Sequence, residues 1–415
     1  MLKMFLENKD FRNFLLYGTF SGIASGIFGI FMMWVIHDIF HNPFYTGLAG
    51  VMFVLPKVLG FVAGPFVDKS NKANLVRIGT FLQLVAVSCL LVISRFGYAQ
   101  IWMFLSIILL YSVSGTIKSP AGAALLPKIV DGNELMRANV AINIVATLAG
   151  IGVGAGLYVM MSDGSRSTFE LVYAANIAIL VLALFFSLFL RDKVVKEAKK
   201  ARYLTELKEG FAFIRQRYVV HLVVAFLFMG LFSNIAYVNL PLFAEIHTGS
   251  AQGYILLSAL ALFGGVIGSY LTRAVASKFE VWKILVAAFV LAGVARIVFV
   301  HAISDENSRF IWIYLLYAGL GSVVGIVFQT LMQKLPPKPL IARIDTINTS
   351  LYAVFAAIGA FLGGFAVNLL PNADTAFIVQ GASYIVIGLC LCASKHLKTL
   401  PKIDEIEPIN EKHPQ

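Results

Sequence analysis

The stretch GPFVDKSNKANLVR, from Gly64 to Arg77, decides how the chain is read. It sets Lys69, Lys72 and Arg77 against one acid, Asp68, within a few residues. The residues before it (45–67) and after it (74–94) are almost wholly apolar. A helix needs about 20 apolar residues to cross the hydrocarbon of a bilayer, and both flanks reach that length. Gly64 to Arg77 is therefore a tight turn between two membrane-spanning helices, with its cations held outside the lipid. Asp68 at the membrane edge can face a helix N-terminus, where the dipole favours negative charge. Such a contact locks one conformation and releases another when it breaks. An ordinary capped turn is the plainer alternative.

Working outward, the same pattern repeats. Apolar runs fall near 14–40, 45–67, 74–94, 99–117, 138–161, 168–190, 218–242, 252–272, 281–301, 310–332, 346–369 and 374–394. Of 415 residues, 59% are hydrophobic and 13% charged, against about 45–50% and about 25% in a soluble domain. Twelve spans of about 20 residues account for nearly all the apolar residues and leave no room for a separate soluble domain. Barrel strands would be about ten residues long and alternate in polarity. The expected fold is an all-α polytopic membrane protein of twelve transmembrane helices. Cys89, Cys390 and Cys392 all lie in apolar runs, so neither a disulfide framework nor a metal site is expected.

The net charge of +11 is explained by placement. With the N-terminus in the cytoplasm, 28 of the 33 lysines and arginines fall on the cytoplasmic side and three, Arg95, Arg166 and Arg309, on the other. Lys57 and Arg296 sit inside runs. Lys118 is counted with Lys128 and Arg137 in the fourth connection. This positive-inside bias puts both termini in the cytoplasm and makes a nucleic-acid partner unnecessary.

The longest connection divides the chain into an N-terminal six-helix half (1–190), a cytoplasmic linker (191–217), a C-terminal six-helix half (218–395) and a cytoplasmic tail (396–415). Within the linker, Leu204, Leu207, Phe211 and Ile214 recur at helical spacing, which predicts a short amphipathic helix on the membrane surface. Leu125–Asn143 (LLPKIVDGNELMRANVAIN) and Leu331–Thr349 (LMQKLPPKPLIARIDTINT) align at a shift of 206 residues, Lys128 on Lys334 and Arg137 on Arg343. With six spans on each side, this points to a parallel duplication.

Gly64, Asp68, Lys69 and Lys72 resemble the G-x-x-x-D-R-x-x-R/K signature between helices 2 and 3 of major facilitator superfamily transporters. Ser119–Asn139 (SPAGAALLPKIVDGNELMRAN) and Leu207–Gln216 (LKEGFAFIRQ) resemble segments of the branch that holds macrolide efflux proteins and the enterobactin exporter. The resemblance implies two six-helix halves around a central cavity and a gate made of Gly64, Asp68, Lys69 and Lys72, with Arg137 and Arg343 at matching places in the two halves. It also implies a bacterial cytoplasmic membrane as the location. The chain departs from the family at Lys69 and Asn71, where arginine and glycine are usual, and at Thr272, in the acid position of the second half. Helix 1 reads SGIASGIFG over Ser21–Gly29, with no carboxylate where proton-coupled drug exporters often carry one. Ala155, in GIGVGAG (Gly150–Gly156), stands where antiporter relatives tend to have proline. That run matches a dinucleotide fingerprint only formally, since it lies inside a span and follows no strand.

The expected function is alternating-access transport, with proton-driven efflux of a small amphipathic, macrolide-like compound first. Export or import of an anionic metabolite or siderophore-type chelator is the alternative, because Lys57 and Arg296 put cations at bilayer depth, which costs at least about 2.5–3.5 kcal/mol unless paired or hydrated. Phe31, Trp34, Lys57, Gln83, Tyr111, Asn143, Asn234, Asn239, Arg296 and Gln329 are the candidates to line a substrate path, with Asn348 beside them. His37, Asp38 and Glu245 are the proton-coupling candidates. No Walker loop G-x-x-x-x-G-K-[ST] occurs, so ATP is not expected as the energy source. Enzyme chemistry lacks its clustered acids, histidines or activated nucleophile. The expected partners are a small-molecule substrate, protons and the lipid bilayer, with no cofactor and a monomeric chain.

Overall fold

The computed structural model describes residues 2–60, 70–97, 100–130, 134–161, 166–192, 203–303, 309–337, 340–367 and 373–406. Among these the chain forms α-helices and two short 3-10 turns, with no β-strand. Eleven helices are long and apolar enough to cross a membrane, and Pro43–Val58, at 16 residues, is shorter. Gly64, Asp68 and Lys69 lie outside the described residues, as does the end of the second apolar run.

The chain divides into two compact units, Met1–Ala198 with Thr248–Ala259, and Lys199–His247 with Leu260–Gln415. The first holds α1 (Leu2–Glu7), α2 (Lys9–Phe40), α3 (Pro43–Val58), α4 (Lys72–Phe96), α5 (Ile101–Ile129), α6 (Leu135–Met160) and α7 (Arg166–Ser187). Asparagines start three of these helices. Asn8, Asn42 and Asn71 accept from the N–H groups of Phe11, Phe44 and Asn74 at 2.9, 3.0 and 2.9 Å. Each cap satisfies a donor that the first turn leaves open. Asn71 thus works as a cap where the family favours glycine.

In this unit α4 packs along α5, α2 along α7, and α3 along α5. The α4–α5 crossing depends on Gly79. A Cβ there would lie 2.9 Å from Lys118 Cβ and 3.0 Å from Ser114 O. Lys118 is a residue of α5, buried with its side chain across this crossing, not a residue of the connection that follows. The reason is length. The helix runs 29 residues to Ile129, well beyond the purely apolar part of its sequence.

The second unit holds α8 (Tyr203–Ile214), α9 (Arg217–Val238), α10 (Leu240–Thr248), most of α11 (Ala251–Ala276), α12 (Val281–Ile303), α13 (Arg309–Lys334), α14 (Ile341–Val367) and α15 (Asp374–Ala393). The seventh apolar run, read as one span, breaks at Asn239. Pro241 has no N–H for the α-helical ladder, and the chain restarts as α10. Asn239 bridges the break by donating to Ile235 O at 2.7 Å and Gly363 O at 3.0 Å.

Helix α8 occupies the linker and packs on α14. Its Gly210 sits on Ile347, and Glu209 accepts from Arg343 Nη1 at 2.9 Å. Phe213 and Ile214 are buried while Phe211 is exposed. The buried face is therefore turned away from Phe211, which the spacing had placed on it.

The segment read as a tail is docked as far as Ile406. Leu397, Leu400, Ile403 and Ile406 are buried in the core of the second unit. Val281 N–H donates to Pro401 O at 3.4 Å, and Lys334 Nζ donates to Ile403 O at 2.7 Å. I403A should therefore lower the unfolding temperature of the purified protein, at a cost of about 2–5 kcal/mol for a buried isoleucine cut to alanine. An unchanged melting curve would show that this strap does not hold the unit together.

Candidate functional site

Among the described residues, each unit buries a cation that donates to a glutamine oxygen. In the first unit Lys118 Nζ donates to Ser21 Oγ on α2 at 2.6 Å and to Gln83 Oε1 on α4. Gln83 Nε2 donates to Tyr111 O at 3.4 Å, and the Tyr111 ring stacks on Phe28 with centroids 3.6 Å apart. The Tyr111 hydroxyl donates to Ser25 at 3.4 Å.

In the second unit Arg296 is 3% exposed. Its Nε donates to Gln380 Oε1 at 2.8 Å, and Gln380 Nε2 donates to the Tyr317 hydroxyl at 2.8 Å. The guanidinium lies 4.3 Å from the ring centres of Tyr317 and Phe377, and 5.3 Å from that of Tyr314. Desolvated cation–π contacts contribute about 2 kcal/mol each. Two close rings therefore offset much of the cost of a charge at this depth. Arg296 Nη1 has no hydrogen-bond partner among the described residues.

The second unit also contains an open cavity of about 980 Å³, lined by parts of α9, α11, α13 and α14. That is the size of a small-molecule site. One wall is aromatic: Phe226 stacks on Phe328 at 3.9 Å and tilts against Tyr352 at 5.0 Å. The polar lining includes Gln329, Asp345 and Asn348. Asn348 is buried, and both its amide atoms lack a partner among the described residues. A buried amide left unsatisfied costs about 1–3 kcal/mol. Asp345 is the single charged residue among the described lining residues.

A third cluster ties together helix ends in the first unit. Asp192 accepts from Lys72 N–H and from Lys128 Nζ, both at 2.7 Å. Arg77 donates to the carbonyls of Ser187 at 3.1 Å and Leu190 at 2.6 Å, closing the end of α7. Burial alone would raise the Asp192 carboxyl, but the hydrogen bonds from Lys128 and Lys72 outweigh it and hold it below the usual carboxylate range.

Of the predicted path residues, Gln329 and Asn348 line the cavity. Gln83 and Tyr111 belong to the Lys118 cluster. Phe31 is buried against Phe169 and Tyr173, and Trp34 stacks on Tyr254 at 5.7 Å. Asn234 donates to Gly230 O of its own helix at 2.8 Å. Asn239 serves the helix break. Asn143 is exposed. Lys57 is exposed in the last turn of α3, so the depth inferred from its place in the run does not translate into burial. His37 is buried beside Trp34, Asp38 is half-buried and Glu245 is exposed. Among the gate residues, Lys72 donates its backbone N–H to Asp192, and Arg343 pairs with Glu209. The Arg137 side chain lies outside the described residues. Asp345 and Lys118 were missed because both were read as belonging to connections. The signal available was their nearness to helical stretches that hold Asn348 and Tyr111.

A family model described as Major Facilitator Superfamily matches residues 14–364. The chain is 22% identical over 385 residues to an uncharacterized MFS-type transporter, YvqJ, of Bacillus subtilis (strain 168), covering 87% of this chain and 86% of the relative. It is 25% identical over 363 residues to a putative transporter, AraJ, of Escherichia coli (strain K12), covering 86% and 87%. Among solved structures it is similar to the nucleoside transporter NupG, with a TM-score of 0.74 at 11% identity over 93% of this chain and 98% of that one. It is also similar to a D-xylose-proton symporter, with a TM-score of 0.69 at 11% identity over 96% and 98%. At such identities the structural likeness is one of fold alone.

Two outcomes follow from the charged clusters. Because the folded Asp192 carboxyl is held low, its contribution to stability is present above the ordinary aspartate pKa of about 3.9 and fades as pH falls through the lowered value. A D192A variant should melt lower than the wild type at neutral pH, by about 1 kcal/mol for a lost cap, and the gap should close in strong acid. A gap independent of pH would remove the carboxylate from the account. For Arg296, Q380L should cost about 1.5–3 kcal/mol, since it strands a charged donor. R296M/Q380L should be less destabilised than Q380L alone, measured by thermal unfolding. A double variant that is additive or worse would show that Gln380 does not act through the guanidinium.

Proposed function

The chain belongs to the Major Facilitator Superfamily, and from that premise we propose that it exports small amphipathic compounds of the macrolide kind, driven by a proton gradient. It is a multi-pass membrane protein and a secondary transporter of that superfamily. In the proposed cycle, alternating access exposes a substrate site first to the cytoplasm and then to the outside. The positive-inside charge pattern supports cytoplasmic termini, and the resemblance to the macrolide-efflux branch supports a bacterial inner membrane. The Gly64–Lys72 turn then gates the cytoplasmic side together with Arg137 and Arg343. Six helices on each side of the 191–217 linker form the moving parts.

The observation that carries the substrate class is the cavity of the second unit. Its aromatic wall offers a flat apolar surface. Its described lining holds a carboxylate and no cation. A molecule with an apolar body and one basic amine fits this lining: the body stacks on Phe226 and Tyr352, and the ammonium meets Asp345. The same lining weighs against an anionic metabolite. Arg296, whose Nη1 has no partner among the described residues, is the observation that favours the anion alternative, but it lies within an aromatic cage and is not among the described residues that line the cavity.

The test is equilibrium binding to the purified protein of three probes: a labelled macrolide carrying a basic amine, its neutral N-acylated form, and citrate. The macrolide should bind best. D345N should weaken its binding about tenfold, the size of a lost charge-assisted hydrogen bond, and weaken the neutral form less. Citrate binding more tightly than the macrolide would reverse the assignment in favour of the anion reading.

A further inference from the structure

Proton drive needs a group inside the membrane that can gain and lose a proton, placed where two conformations can treat it differently. The three groups expected to serve do not sit at such a depth. Asp38 and His37 fall in the last turn of α2, and Glu245 is exposed on α10. Arg296 is deep, but a guanidinium keeps its proton at any physiological pH, and its aromatic cage secures the charge.

Lys118 meets both conditions. Its partner Ser21 lies 12 residues from the start of α2 and 19 from the end, which is about 18 Å and about 28 Å at 1.5 Å per residue. Lys118 itself is 11 residues short of the end of α5, or about 16 Å. The amine therefore sits well inside the first unit at the contact of α2, α4 and α5. Both its partners are neutral acceptors, and no carboxylate pairs with it among the described residues. The titratable groups that face it are phenols. Tyr17 on α2 is hydrogen-bonded to Ser21 and Thr80, and Tyr111 on α5 meets Gln83 through its backbone carbonyl while its phenol is turned to Ser25. From α4 no charged group faces it, because Arg77 is turned to the end of α7. Two neutral acceptors match the two N–H donors of a free amine and leave one donor of an ammonium over. Lysine, unlike arginine, exchanges its proton readily when its surroundings change.

We infer that Lys118 is the proton carrier that couples transport in this chain, resting on the proton-driven efflux reading above. In one state the ammonium releases one proton and remains as the neutral amine on Ser21 and Gln83. In the other, with the α2–α5 contact loosened and water admitted, the amine takes up one proton from the opposite side. Nothing is oxidised or reduced, and the proton is the single species transferred. Movement of α2 against α5 links the two states, because the acceptors come from different helices.

The experiment uses the full chain in proteoliposomes with a labelled macrolide. Wild type, K118Q and K118R are each checked for a folded, monodisperse peak. Accumulation driven by an imposed pH gradient is compared with exchange of labelled for unlabelled macrolide in the absence of a gradient. Proton movement is read with a trapped pH dye. Wild type should show gradient-driven accumulation and macrolide-dependent proton flux. K118Q, which cannot be charged, and K118R, which cannot be neutral, should both lose these and still exchange. A merely structural or substrate-binding cation predicts that K118R keeps gradient drive, and that result would overturn the inference. So would gradient drive retained in K118Q. If K118Q does not fold, K118R alone decides. If wild type exchanges macrolide without responding to the gradient, proton-driven efflux itself fails, and the role of Lys118 falls with it.

Discussion

A cation inside a bilayer protein must be paired, hydrated or neutral, and this structure depends on how it meets that constraint without acids. Both units answer with a glutamine oxygen from a neighbouring helix, Gln83 for Lys118 and Gln380 for Arg296. The resemblance stops there. Arg296 is surrounded by ring faces that hold a permanent charge in place. Among the described residues Lys118 has two hydrogen bonds and no ring over its ammonium. The duplication shift of 206 residues carries Lys118 onto Val324, so the two cations are not copies of one ancestral position. One serves as a fixed structural charge, and the other is suited to change its state.

The charged cluster at the helix ends of the first unit adds a second layer. Asp192 joins the start of α4 to the end of α5, while Arg77 fastens the end of α7 to α4. These contacts tie three helices together at one end. The Ser21–Lys118 contact joins α2 to this group of helices. In the second unit the strap over residues 397–406 and helix α8 perform a comparable fastening, through burial of Leu397, Ile403 and Phe213.

Most of the architecture was legible because apolar length and cation placement are properties of composition, and a bilayer enforces both. What was misread has local causes. Lys118 was taken for a connection residue because the apolar stretch stops at 117, whereas the helix continues to Ile129. The seventh run looked continuous because Asn239 and Pro241 are two residues among many apolar ones, yet together they break a helical ladder. The strap looked like a tail because its apolar residues are spaced by lysines and acids, and only tertiary packing shows which side is covered. The cavity was half legible. Gln329 and Asn348 stand out as amides within spans, but Asp345 becomes informative only when four helices bring it to the same space. Lys57 was the opposite case, a cation in an apolar run that ends exposed at a helix terminus.

The central claim is that a proton gradient drives an amphipathic compound outward through this chain. It is tested most directly by uptake of a labelled macrolide into everted membrane vesicles, with and without an acid-inside gradient, against vesicles lacking the protein. The account predicts uptake that appears with the gradient, collapses when a protonophore is added, and is absent from the control vesicles. Uptake equal to the control, with folded protein verified in the same vesicles, would contradict it.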